Sequence, residues 1–244
     1  LMNSSDRWFI FHYHGLASTG IFAVGSKVIM LVTSAVTIFR TAWLPISMEA
    51  IESKINVIFF SQVSRIYWFI SLNILMGYIL FSKFIIQIIA PYEYSDAWLI
   101  ASILIWQPLF FGYYLIASIG IWRSKKTQQF IYISIFSSVV GIFLNYLLVP
   151  KYSIVGASIA TSLTFLFWII LTLLISEKIW SIGLLNKNLV LQILLGIFST
   201  ILLIINLNKS FLNAFFIFIF CFVLNILISL RRSDLKFIKN GSKL

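Results

Sequence analysis

The chain has 244 residues, of which 61% are hydrophobic and 17% aromatic but only 10% charged, with a mean hydropathy of +1.02. Those fractions exclude an ordinary soluble domain and describe a polytopic membrane protein. The net charge of +11 would suggest nucleic acid in a soluble chain, but here Lys and Arg punctuate apolar spans and report orientation instead.

Helices are the expected spanning element. The stretch 215–224 is apolar on every face, whereas a barrel strand alternates apolar and polar positions. Apolar runs of about 20 residues recur along the whole chain, so a cleaved signal peptide does not account for them. A single cysteine, Cys221, excludes an internal disulfide and reads as a small buried hydrophobe.

In chain order, residues 1–19 read as the end of a truncated transmembrane helix followed by a periplasmic turn. The charged pair Asp6-Arg7 arrives after too few residues for a complete span. A missing N-terminal part is therefore expected to supply the rest of that helix and a further bundle. Residues 20–230 form the expected bundle of about seven helices, with spans near 20–48, 63–90, 97–122, 128–149, 154–176, 188–206 and 211–230, from about 1.5 Å rise per residue and a hydrocarbon core of about 30 Å. The connectors at 49–54, 91–96, 123–129, 150–153, 177–187 and 206–210 are all short. Residues 231–244 form a basic tail, read as a positive-inside anchor.

Arg123, Lys125 and Lys126 mark the face taken as cytoplasmic, and Lys54, Arg65, Lys178, Lys187, Arg231, Arg232, Lys236, Lys239 and Lys243 fall on the same side. Arg7, Lys151 and Lys209 fall opposite. This bias predicts a cytoplasmic C-terminus. Trp98, Trp122 and Trp180 fall at predicted interfaces, while Trp106 and Trp168 lie deeper and are expected to pack in the bundle. Pro108, inside the third span, is expected to kink or open it. The small residues of Gly156-Ala157-Ser158-Ile159-Ala160 allow close helix contact.

Lys27, Arg40 and Lys83 remain inside the spans. A cation at the centre of a lipid-facing helix costs about 2.5–3.5 kcal/mol on insertion scales, so these side chains face something other than lipid or snorkel out of it. Lys27 and Lys83 each sit about seven residues from the outer end of consecutive antiparallel spans, and this matching depth favours one shared polar chamber. Arg40 points about 140° away from Lys27. It lines the inner part of a wide cavity or reaches the cytoplasmic phosphates, and snorkelling is the stronger reading. Ser34 and Thr41 share Lys27's face. Asp6-Arg7 reads either as a charge pair at the cavity mouth, Arg7 holding an anion and Asp6 a proton or cation, or as a helix-end pair in periplasmic water. His12 and His14 read as interface loop histidines rather than metal ligands. No nucleophile constellation or phosphate loop stands out, and Glu49, Glu52, Glu93, Asp96 and Glu177 fall in connectors. That argues against an enzyme.

Four blocks carry a family likeness: Asn3-Ser4-Ser5-Asp6-Arg7-Trp8-Phe9-Ile10, Gly20-Ile21-Phe22-Ala23-Val24-Gly25-Ser26-Lys27-Val28, Thr41-Ala42-Trp43-Leu44-Pro45, and the run from Asn145-Tyr146 through Pro150-Lys151-Tyr152-Ser153 to Ala160-Thr161. In this order and spacing they resemble the C-terminal half of polysaccharide and O-antigen flippases, within the superfamily that also holds multidrug exporters. Ser153 replaces a glycine often found there. The resemblance implies an all-α polytopic transmembrane helix bundle, the second of two in an alternating-access transporter of the bacterial inner membrane. It implies a substrate of undecaprenyl-pyrophosphate-linked oligosaccharide, membrane lipids and the other bundle as partners with polysaccharide polymerase machinery as a further one, no nucleic acid and no cofactor. Arg7, Lys27, Lys83 and Arg40 are then the candidates for the anionic headgroup, and Asp6 for ion coupling. The rival expectations are a membrane polysaccharide polymerase or acyltransferase, which usually needs a large periplasmic loop, and a multidrug exporter, which is expected to place an acid in its cavity.

Overall fold

The computed structural model describes residues 5–52 and 57–229. The helices are α1 (Ser5–Val28), α2 (Met30–Glu52), α3 (Val57–Ile89), α4 (Ala97–Leu104), α5 (Trp106–Ala117), α6 (Ile119–Arg123), α7 (Gln128–Ile179), α8 (Lys187–Leu207) and α9 (Phe211–Ser229), with a 3-10 turn at Tyr92–Tyr94. Six helical stretches are long and apolar enough to cross a membrane. The chain is a multi-pass, all-α membrane protein: the large side chains on its outside are apolar, with Leu16, Ile88 and Leu227 each more than 70% exposed, a surface that lipid solvates and water does not.

Two of the six stretches are hairpins. In α1 the helix breaks at Gly15, φ 77° and ψ −172°, a backbone that glycine adopts without steric cost. In α7 it breaks at Ser153, φ 49° and ψ −133°. The arms on either side fold back on each other: a Cβ on Gly141 would lie 3.0 Å from Thr164, and one on Gly156 only 2.3 Å from the Leu148 carbonyl. The small-residue run of the second arm is therefore used for close packing of the hairpin. The reversals expected over 150–153 and before residue 20 are each made at a single residue, with the helix running on through Pro150.

Past Gly15 the chain continues as one rod through Ile29, whose carbonyl accepts from the Thr33 amide at 3.0 Å. The third predicted span is three short helices, α4 to α6, and its first break lies at Ile105. Pro108 explains it: a proline lacks the N–H that Leu104's carbonyl would accept, and its ring crowds that carbonyl. Trp106 and Trp168 are buried, as expected of them.

Contacts define two ends. At one, His14 Nε2 meets the Val149 carbonyl at 2.8 Å, and Lys83 Nζ donates to Asn208 Oδ1 at 3.1 Å. At the other, the Trp180 ring packs on Phe60 at 5.6 Å and carries the Arg123 guanidinium at 3.9 Å. Close to this second end, Glu177 holds the turn before α8, accepting from the amides of Ile182 at 3.1 Å and Leu184 at 2.6 Å. Buried polar groups tie α3, α8 and α9 together: Gln192 donates to Ser229 at 2.8 Å, Ser229 to Asn225 at 2.7 Å, and Asn225 to the Phe69 carbonyl at 3.1 Å. In lipid such bonds select helix neighbours where apolar contact alone discriminates poorly. Lys54 and the basic tail 231–244 lie outside the described residues.

Candidate functional site

The α1 hairpin carries its first arm back along its second, which sets Asp6 and Arg7 beside Ser26 and Lys27. A cavity of about 250 Å³ lies between them, closed by Thr33 on α2 and Gln107 on α5. The same Thr33 and Gln107 line a larger groove of about 790 Å³ that runs on between α5 and the two arms of α7. The two cavities thus adjoin at Thr33 and Gln107, the smaller one lined by charged groups and the larger one by neutral groups.

Asp6 is the best-defined group in it. Its residue is only 3% exposed. Asn145 Nδ2, from the first arm of α7, donates to Oδ1 at 2.7 Å, and Thr161 Oγ1, from the second arm, donates to Oδ2 at 2.7 Å. Each arm of one hairpin therefore supplies a donor to a carboxyl group on the other hairpin. Asn145 Oδ1 is buried with no hydrogen-bond partner, an exception to the rule that buried polar atoms are paired. Carboxylate, amide carbonyl and hydroxyl oxygens are the hard donors that suit a proton, a water or a small hard cation. Among the described residues no cluster of three or more His, Cys, Asp and Glu side chains is found.

This corrects the expected position of the charge pair. Asp6 lies nine residues before Gly15, roughly 13 Å along the arm from the turn, so it is neither at a cavity mouth nor in periplasmic water. The helix runs on past it because residues 8–11, Trp8, Phe9, Ile10 and Phe11, are large, helix-compatible and free of breakers. His12 and His14 lie in the same arm rather than in a loop, His12 stacked on Trp8 with ring centroids 5.2 Å apart.

The cations divide. Arg7 and Lys27 both line the smaller cavity and are exposed there. Lys27 lies twelve residues past Gly15, roughly 18 Å from that end, deeper than the expected span boundary placed it. Lys83 does not join them in a shared chamber. Its Nζ donates to the Leu207 carbonyl at 3.0 Å as well as to Asn208, and sits 4.6 Å from the Trp98 ring centroid. Equal depth on consecutive spans says nothing about azimuth, and Lys83 points towards the C-terminal carbonyls of α8, which attract a cation. Arg40 is exposed on α2 and lines neither cavity. Ser34 and Thr41 bond to their own helix, at the Met30 and Ile38 carbonyls, and Thr33 takes the place beside Lys27.

Sequence reasoning missed Asn145, Thr161 and Gln107. The available signal was an amide interrupting an otherwise apolar run: Asn145 is the one polar residue between Gly141 and Lys151 other than Tyr146.

No protein-family model, curated protein or solved structure matches the chain. Fold and site define a class: a multi-pass helical membrane protein in which a carboxyl group and two cations line one cavity.

Proposed function

We propose that this chain is one bundle of an alternating-access exporter for an anionic lipid-linked oligosaccharide, resembling the C-terminal half of the O-antigen flippases. The observation that carries the reading is the single cavity shared by Asp6, Arg7 and Lys27 within the bilayer-spanning part of the fold. Intramembrane ionisable groups are costly and mark ion or substrate pathways. A diphosphate and sugars lose their water on entering hydrocarbon, and a hydrated cationic recess replaces those interactions while the prenyl chain stays in lipid. Arg7 and Lys27 would hold the diphosphate. Asp6, with Asn145 and Thr161, would bind the coupling proton or monovalent cation.

The exposed part of α2 carries Thr33, Ser34, Thr37, Arg40 and Thr41 among the apolar Met30, Leu31 and Ile38, whereas the exposed residues of α9 are apolar apart from Asn213. A second bundle facing this part of α2, in the same polypeptide or a partner, would complete the recess. Arg123, Lys125, Lys126, Lys178 and Lys187 gather at the end away from Gly15, which supports a bacterial inner-membrane orientation with that end and the C-terminus cytoplasmic.

The test is transport of a prenyl-diphosphate oligosaccharide by the intact protein in vesicles. Lys27→Ala should abolish it while insertion and abundance stay unchanged, and normal transport by that variant removes the reading. One observation favours a second reading: Asp6 places an acid in the cavity lining, as export of cationic drugs requires. In that case Asp6→Asn stops efflux of ethidium and Lys27→Ala leaves it intact.

A further inference from the structure

The 790 Å³ groove has a chemistry of its own. No ionisable side chain lines it among the described residues, so what it takes is neutral. Its polar groups are an amide and hydroxyls, and they come from three separate elements: Thr33 on α2, Gln107 on α5, and Ser134 and Ser138 on the first arm of α7. Ser138 and Thr33 each donate their hydroxyl hydrogen to their own helix, at the Ser134 and Ile29 carbonyls, which leaves oxygen lone pairs to accept from a ligand. Phe111 and Trp168 line the groove beside them; their ring planes differ by 13° with centroids 6.2 Å apart, and Tyr114 stacks on Trp168 at 4.0 Å.

A hydrocarbon chain would gain nothing from hydrogen-bonding groups converging from three elements. The same protein shows what a cleft for a hydrocarbon chain looks like: on the far side of α2 a recess of about 260 Å³ is lined by Val32, Val36, Val63, Ile66, Ile70 and Leu109, with Ser71 and Tyr67 its only hydroxyl-bearing residues. The groove, with hydroxyls and aromatic rings in its lining, fits instead a neutral, polyhydroxylated ring, whose C–H face packs on an aromatic plane while its hydroxyls reach amide and hydroxyl partners. Its volume lies within the usual range of small-molecule sites, about 300–1,000 Å³. Because Thr33 and Gln107 line both cavities, the groove adjoins the site of Arg7 and Lys27, and a ligand anchored there by an anion would reach it past these two side chains.

We infer that this groove is the sugar subsite of the transported lipid, with Phe111 as the stacking platform and Gln107, Ser134 and Ser138 selecting the first sugar by its hydroxyl pattern. This assignment rests on the exporter reading and adds to it the residues that decide which glycan is carried.

Two probes test it on the intact protein in lipid nanodiscs: a short prenyl diphosphate, and the same molecule bearing one N-acetylhexosamine. The sugar should tighten binding by about tenfold or more, and Ser134→Ala combined with Ser138→Val, two residues that line the groove and not the headgroup cavity, should erase that increment while the bare diphosphate binds within about twofold of wild type. Unchanged binding of the bare probe also shows that the variant is folded, and Phe111→Leu should act in the same direction. Equal binding of the two probes to wild type, with both dependent on Lys27, overturns the sugar subsite and leaves the headgroup site standing. A sugar preference that survives the double variant overturns the location. Should neither probe bind, or binding ignore Lys27→Ala, the exporter reading fails and the subsite falls with it.

Discussion

Thr161 Oγ1 donates to Asp6 Oδ2 at 2.7 Å across a separation of 155 residues. That bond joins the two hairpins of the fold, and it does so through a carboxyl group surrounded by protein. Removing either donor should be felt at once. Leaving a buried polar group without its hydrogen-bond partner costs about 1–3 kcal/mol, so Thr161→Val and Asn145→Leu should each lower thermal stability in detergent by that order. Thr161→Ser should restore it. A Thr161→Val protein as stable as wild type would show that the contact carries no load.

Binding of a hard monovalent cation at Asp6 has its own readout. Ligand that binds only the folded state raises stability by RT ln(1 + [L]/Kd), about 2.7 kcal/mol at a hundredfold excess over Kd. If sodium occupies the site, raising its concentration at constant ionic strength should raise Tm for the wild type and leave Asp6→Asn unmoved. A wild type that ignores sodium points to a proton as the coupling ion.

Lys83 and Lys27 should part company under mutation. Lys83 ties α3 to the carbonyl end of α8, so Lys83→Met is expected to cost about 1 kcal/mol of stability with transport retained. Lys27→Ala should do the reverse. Comparing melting temperature with vesicle transport for the two variants checks the division.

Ser153 holds φ 49°, a backbone that a side chain reaches at a cost of order 1–3 kcal/mol. Ser153→Gly should therefore stabilise the protein by about 1 kcal/mol, read as a higher Tm, because glycine occupies that region without clash. A lower Tm would mean that the serine side chain contributes more than its backbone costs.

Orientation is checked by fusions. A reporter active only in the periplasm should be silent when joined at Lys126 and active at Lys209, and the opposite pattern inverts the assignment.

The spans were legible in the sequence because the bilayer leaves the chain so little choice. A backbone in hydrocarbon must satisfy its own hydrogen bonds, so runs such as 188–206 and 211–230 had to be helices, and their limits differ from α8 and α9 by a residue or so. The deep placement of Trp106 and Trp168 followed from the same register. What the sequence did not contain was azimuth. Depth along a helix is one-dimensional and can be counted, which is why Lys27 and Lys83 looked alike; which neighbour each faces depends on how helices pack, and there Lys83 reaches α8 while Lys27 meets Arg7. The buried Asp6 shows the same limit. Its carboxyl group is plain in the sequence, but only the folding back at Gly15 and Ser153 brings Asn145 and Thr161 to it, because a buried polar group is held by partners that three-dimensional packing alone can deliver.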